Sequence, residues 1–246
     1  MGEHATLNRR PSPLAPLEAF VPLFPPRAMQ TNRKSAPSTT PRAGGAASQH
    51  VPKNWPTHVP YLRLPSYSKA LTGEAKSVLV LAKADLPSGE EVRQVVAPYS
   101  NVKITPIRDE RHPAHGQYGL FASQSLQPGA FILPYLGYVH DHTETDDKSD
   151  YDLSLDRDHG LSVDASRGGN EARFINDYRG VSSAPNAEFK DTYIDLGNGK
   201  IEKRVGIFVL RAGKSGKVSK GIPKGQEILV SYGKGFWNER TATQEI

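Results

Sequence analysis

From Ser77 to Ser231 the chain is written in short β-branched or aromatic runs, each soon cut off by glycine, proline, asparagine or aspartate. This punctuation limits the fold more than any other feature, because runs of about four to eight residues suit strands and are too short for stable helices. Candidate strands are Val78 to Leu81, Val102 to Ile107, Tyr118 to Ala122, Ala130 to Val139, Tyr151 to Leu155, Leu161 to Val163, Asp191 to Leu196, Lys203 to Arg211 and Glu227 to Ser231. Gly197-Asn-Gly199 between two such runs predicts a tight hairpin, since Asn-Gly tolerates the positive φ the reversal needs. Gly129 and Gly225, each shortly after a proline, predict turns leading into strands. The fold class is mostly β, with little helix signal and no fixed-period repeat.

The 246 residues suffice for one domain and a substantial appendage. Zero cysteines exclude disulfides, thiol nucleophiles and thiolate metal sites. The most apolar short stretch, Val78 to Ala82, falls far below the roughly 20 residues of a membrane helix, so no membrane partner is expected. The net charge of +5 suggests nucleic acid until its position is examined. Residues 1–76 hold 10 Lys and Arg against 3 Asp and Glu, whereas the remaining 170 hold 21 against 23. Basicity therefore belongs to the N-terminal stretch, where 12 of the 20 prolines also fall. Residues 1–50 read as a disordered basic tail with no specific nucleic-acid site, and its prolines oppose the amphipathic helix of a mitochondrial presequence. Aromatic and aliphatic residues return around Trp55-Pro-Thr-His-Val-Pro-Tyr-Leu62, which predicts an irregular arm docked on the domain.

Phosphate-binding loops, dinucleotide glycine fingerprints, His-Glu-x-x-His and Gly-x-Ser-x-Gly do not occur in the sequence. His112 and His115, like His140 and His142, lack further ligands at regular spacing; they read as solvated loop histidines and no metal is expected. What does occur is an ordered set of segments. These are Gly116-Gln-Tyr-Gly-Leu-Phe-Ala122, Gly129-Ala-Phe-Ile-Leu-Pro-Tyr-Leu-Gly137, Val163-Asp-Ala-Ser-Arg-Gly-Gly-Asn-Glu-Ala-Arg-Phe-Ile-Asn176 with Pro185-Asn186, and Gly225-Gln-Glu-Ile-Leu-Val-Ser-Tyr-Gly233 with Phe236-Trp237.

In this order the segments resemble the SET-domain protein lysine methyltransferases, over about residues 103–238. The resemblance implies a SET (β-clip-like) fold of several small sheets, with a knot-like C-terminal crossing of the Arg-Phe-Ile-Asn segment and the final tyrosine strand. It implies S-adenosylmethionine as cofactor, held around Gln117, Tyr118 and Gly119, by Arg173 and Phe174, and by Asn176 and Asp177, with Trp237 over the adenine. Tyr232 is the expected catalytic residue and Tyr151 a channel wall, with Tyr135 nearby; Asn186 either contributes or simply pins a loop. The family's usual Asn-His-Ser-Cys run here reads Asn176-Asp-Tyr-Arg179, so an aspartate replaces the histidine that supports the tyrosine, and the cysteine-rich segment after the domain is absent.

The expected organisation is a tail (1–50), a docking arm with strands preceding the SET domain (51–102), the SET domain (103–238) and a short C-terminal tail (239–246). The expected partner is a basic protein or peptide, a histone tail being the family's example, in the nucleus or cytoplasm. A non-catalytic peptide-binding scaffold on the same fold is the alternative. Every cofactor-matching residue lies beyond Tyr99, so a fragment starting at Ser77 is expected to bind cofactor as well as the full chain.

Overall fold

A computed structural model describes residues 51–211, 220–233 and 236; the expected tail over 1–50, Trp237 and the expected segment 239–246 lie outside the described residues. In chain order the elements are β1 (Ser66–Tyr67), α1 (Gly73–Leu79), β2 (Val80–Ala82), β3 (Val92–Arg93), β4 (Val102–Pro106), β5 (Tyr118–Ala122), β6 (Phe131–Pro134), β7 (Tyr138–Asp141), β8 (Asp152–Asp156), β9 (Leu161–Asp164), β10 (Asn176–Asp177), β11 (Ala187–Gly197), β12 (Lys200–Val209) and β13 (Leu229–Val230). The result is a mostly β fold of several small sheets, as the punctuated sequence predicts. One sheet runs β1-β7-β9-β8; another runs β2-β12-β11-β3, with β6 also on β12; β4-β5 and β10-β13 form separate pairs.

The hairpin between β11 and β12 closes at Gly197-Asn-Gly199. Asn198 and Gly199 have φ of +52° and +73°, and the Asp195 carboxylate accepts the Gly197 N–H at 2.8 Å. Gly129 and Gly225 also have positive φ, +76° and +85°, in the turns expected there.

The structure corrects the sequence reading at several elements. Val78 and Leu79 end helix α1 rather than begin a strand, because Thr72 caps the helix by accepting the Ala75 N–H. The run Ala130 to Val139 breaks at Tyr135-Leu-Gly137. There the buried Asn170 replaces a partner strand, accepting the Leu136 N–H at 3.2 Å and donating to the Pro134 carbonyl at 2.8 Å. Strands β1, β3 and β10 have no counterpart among the candidate runs, because two residues carry no alternation. His140 is not solvated: it is buried on β7, with Nδ1 2.8 Å from the Asp141 carbonyl and Nε2 3.4 Å from Asp152.

Leu120, Leu133, Leu136, Ile207, Ile228 and Val230 anchor the interior, each side chain contributing about 1.5–3 kcal/mol when fully buried. The segment around Trp55 lies on the domain. Leu62 N–H donates to the Gly169 carbonyl (2.7 Å), Gly169 N–H donates to the Pro60 carbonyl (3.2 Å), and β1 continues as a parallel edge on β7. Among the described residues no helix is long and apolar enough to cross a membrane.

Candidate active site

The last described strand joins segments that are far apart in sequence. Residues 226–228 run beside β5, where Ala122 N–H donates to the Gln226 carbonyl (2.9 Å) and Ile228 N–H to the Leu120 carbonyl (2.8 Å). On the other flank β13 pairs in parallel with β10, and Tyr178 N–H donates to the Val230 carbonyl at 3.0 Å. Asn186 completes that flank, accepting the Leu229 N–H and donating to the Glu227 carbonyl, both at 2.8 Å. Asn186 thus pins the crossing strand.

This placement delivers Tyr232 to its partners. Its hydroxyl donates to the Ile175 carbonyl at 2.6 Å, and its N–H donates to Asp177 Oδ2 at 2.7 Å. Asp177 also pairs with Arg179 (Nη1–Oδ2 2.7 Å) and accepts the Arg179 N–H. In this chain, therefore, a carboxylate and a guanidinium brace the tyrosine strand where the family pattern has histidine. Burial raises the Tyr232 phenol well above its ordinary pKa, and the charges of Asp177 and Glu227 and the neighbouring Tyr151 raise it further. The phenol stays protonated at neutral pH and acts as a donor.

Tyr135 is buried and donates to the Tyr151 carbonyl at 2.8 Å, so its hydroxyl is committed to the backbone. The Arg173 guanidinium lies over the Tyr151 ring at 4.5 Å and over Phe174 at 5.3 Å, with its Nε donating to the Ala165 carbonyl. Phe174 meets Trp55 (ring centroids 5.6 Å) and Tyr118 (6.1 Å) edge-on. The turn carrying Arg173 and Phe174, Glu171–Phe174, is held from the arm side. The buried Glu171 carboxylate accepts from the Tyr61 hydroxyl and the Tyr99 N–H, each at 3.0 Å, while burial pushes its pKa up.

A second buried carboxylate sits beneath β5. Glu227 Oε1 accepts from Asn176 Nδ2 at 2.8 Å, and Oε2 is 3.0 Å from His112 Nε2. Gly119 makes room for it, because a Cβ there would lie 2.5 Å from Oε1. His112, expected to be solvated, is instead enclosed by this pairing.

Residues 117–233 match the family model described as SET domain. Those residues have the SET-domain fold. Over 124 residues it is 28% identical to a histone-lysine N-methyltransferase, ASHH3, of Arabidopsis thaliana; the match covers 46% of this chain and 29% of the length of that relative. Among solved structures it is similar to the polycomb repressive complex 2 of Chaetomium thermophilum, at 26% identity and a TM-score of 0.42, over 57% of this chain and 16% of that one. Another similar structure is ctPRC2 in an autoinhibited conformation bound to S-adenosylmethionine, at 24% identity and a TM-score of 0.42, over 60% of this chain and 17% of that one.

Of the residues singled out from the sequence, the SET domain gathers Tyr118, Gly119, Arg173, Phe174, Asn176, Asp177, Tyr151 and Tyr232 around one crossing. Gln117 precedes β5 in a turn, its N–H donating to the Ala114 carbonyl and its own carbonyl accepting from Ile107. Trp237 lies outside the described residues. Glu227, His112, Trp55, Glu171 and Arg179 are not among the site residues expected from the sequence. The Gly225-Gln-Glu run contained Glu227 in plain view, but its partners lie 51 and 115 residues away.

The donor set suits a cofactor with an aromatic base at one end and an amino acid at the other. Tyr118 is 39% exposed beside Phe174 and offers an apolar edge, while the part-exposed Asn176 and Arg173 offer polar groups close by.

Proposed function

We propose that this SET domain transfers a methyl group from S-adenosylmethionine to the side-chain amine of a lysine in a basic protein, with a histone tail as the substrate class. The observation that carries this reading is the part-buried Tyr232, its hydroxyl on the Ile175 carbonyl, next to the strand that presents Asn176. Tyr118, Gly119, Arg173, Phe174, Asn176 and Asp177, with Gln117 and Trp237, are the proposed cofactor-holding set. Bound S-adenosylmethionine supplies an electrophilic methyl on a sulfonium.

The protein's task is then alignment, which contributes roughly 7–11 kcal/mol in well-oriented reactions. Tyr232 orients rather than abstracts a proton, because its raised pKa keeps the phenol protonated. The Tyr151 and Tyr232 rings wall a dry channel that attracts a cationic lysine and favours the neutral amine needed for attack. Carbonyls such as that of Ile175 would accept weak C–H contacts, about 0.5–1 kcal/mol each, from the polarised methyl of the bound cofactor.

Residues 141–158 hold eight acids against Lys148 and Arg157, and this stretch, which includes β8, is proposed to steer the basic substrate. The test is calorimetry with S-adenosylmethionine on the full chain, followed by transfer of labelled methyl to histone peptides and mixed basic proteins. Micromolar binding and labelled lysine are expected. Absence of cofactor binding would overturn the reading, and binding without transfer would favour the non-catalytic scaffold.

A further inference from the structure

Glu227 is held between two donors in the interior, and its arrangement has a directional consequence. An ionised carboxylate only accepts hydrogen bonds, so the Asn176 amide must turn its NH2 group toward Oε1, at 2.8 Å. The same nitrogen lies 3.4 Å from the Tyr118 carbonyl. With its hydrogens facing these two acceptors, the planar amide presents its oxygen on the opposite side. A flipped amide would set oxygen against carboxylate at hydrogen-bond distance.

The second carboxylate oxygen is fixed by His112. Its Nδ1 accepts the Ala114 N–H at 3.0 Å, which leaves the ring proton on Nε2, 3.0 Å from Glu227 Oε2. Both side chains are 9% exposed, so the contact is little weakened by solvent. Gly119 closes the arrangement, since any larger residue would displace the carboxylate.

We infer that His112 is a positioning residue for the amino-acid end of the cofactor, acting through Glu227 to keep the Asn176 amide oxygen available as an acceptor. The inference rests on the reading of this site as one that binds S-adenosylmethionine. An acceptor held in this way favours a cationic donor, the α-ammonium, over a carboxylate. His112 touches no part of the ligand itself; it removes the alternative amide orientation.

The experiment is calorimetry on the full chain with two ligands: S-adenosylmethionine, and 5′-methylthioadenosine, which keeps the adenosine and sulfur but lacks the ammonium. His112→Ala is expected to weaken S-adenosylmethionine about tenfold, the effect of losing one charge-assisted hydrogen bond, and to leave 5′-methylthioadenosine within about twofold of the parent. His112→Gln, whose amide donates in place of Nε2–H, is expected to recover most of the loss. In an Asn176→Ala background, His112→Ala should add little. Equal weakening of both ligands, or of neither, would overturn the inference, as would full additivity of the two substitutions. If the parent binds no S-adenosylmethionine, the cofactor reading falls and this inference falls with it, an outcome distinct from the others.

Discussion

Gly119 shows how one missing methyl group governs the site. A Cβ at this position would meet Glu227 Oε1 at 2.5 Å and Phe121 Cε2 at 3.0 Å. A free glutamate tip would move aside, but this one is held by Asn176 and His112, so Gly119→Ala should break one of those bonds. We expect about 1–3 kcal/mol of destabilisation in denaturant melts. Tyr232→Phe deletes only the hydroxyl that donates to Ile175. On the proposed function, kcat and kcat/KM should fall together, by at least tenfold, with cofactor affinity nearly intact; unchanged turnover would remove Tyr232 from the mechanism. Asp177→Ala should cost about 2 kcal/mol in the same melts, because it strands the Tyr232 N–H and leaves Arg179 without this carboxylate.

Among the elements, the N-terminal arm reaches closer to the site than its sequence suggests. All cofactor-matching residues lie beyond Tyr99, yet their turn is braced from the other side by Trp55 against Phe174 and by Tyr61 on Glu171. A fragment starting at Ser77 also loses β1, which edges β7. We therefore expect that fragment to melt at lower temperature and to bind S-adenosylmethionine at least tenfold more weakly than the full chain, as read by calorimetry; equal affinity would show that the arm is dispensable. The arm eluded a detailed sequence reading because it is irregular. By contrast, the β11–β12 hairpin was readable, since Asn198 and Gly199 encode their own positive φ. The long run ending at Val139 misled for a physical reason: a side chain 34 residues on, Asn170, supplies the hydrogen bond that an adjacent strand would have made.

At the scale of the molecule, polar links join the two larger sheets. Lys203 on β12 reaches Asp156 on β8 at 3.0 Å and Asp191 at 3.1 Å, and Tyr67 on β1 donates to the buried Glu202. Burial alone would raise the Asp156 carboxyl, but hydrogen bonds from His159 and Lys203 overcome it and bring its pKa down to about 2, below the ordinary 3.8. A carboxyl whose folded pKa is depressed contributes stability above its unfolded pKa, and that contribution disappears as pH falls through the folded value. Asp156→Asn should therefore lower stability by about 1 kcal/mol at pH 6, with the difference from the parent vanishing between about pH 4 and pH 2. A difference that persisted at pH 2 would show that packing, not charge, is responsible.

By itself the sequence determined the class of fold and the identity of most of the gathered residues. Period-two runs, turn-forming glycines and the order of motifs are local signals, and they lie within a few residues of what they specify. Only the tertiary structure decided which of those residues meet. Tyr232 finds Ile175 across 57 residues, His112 finds Glu227 across 115 and Tyr61 finds Glu171 across 110. Each pairing depends on where the last strand crosses and on which buried carboxylate needs donors, and burial and charge compensation arise only once the chain has closed on itself.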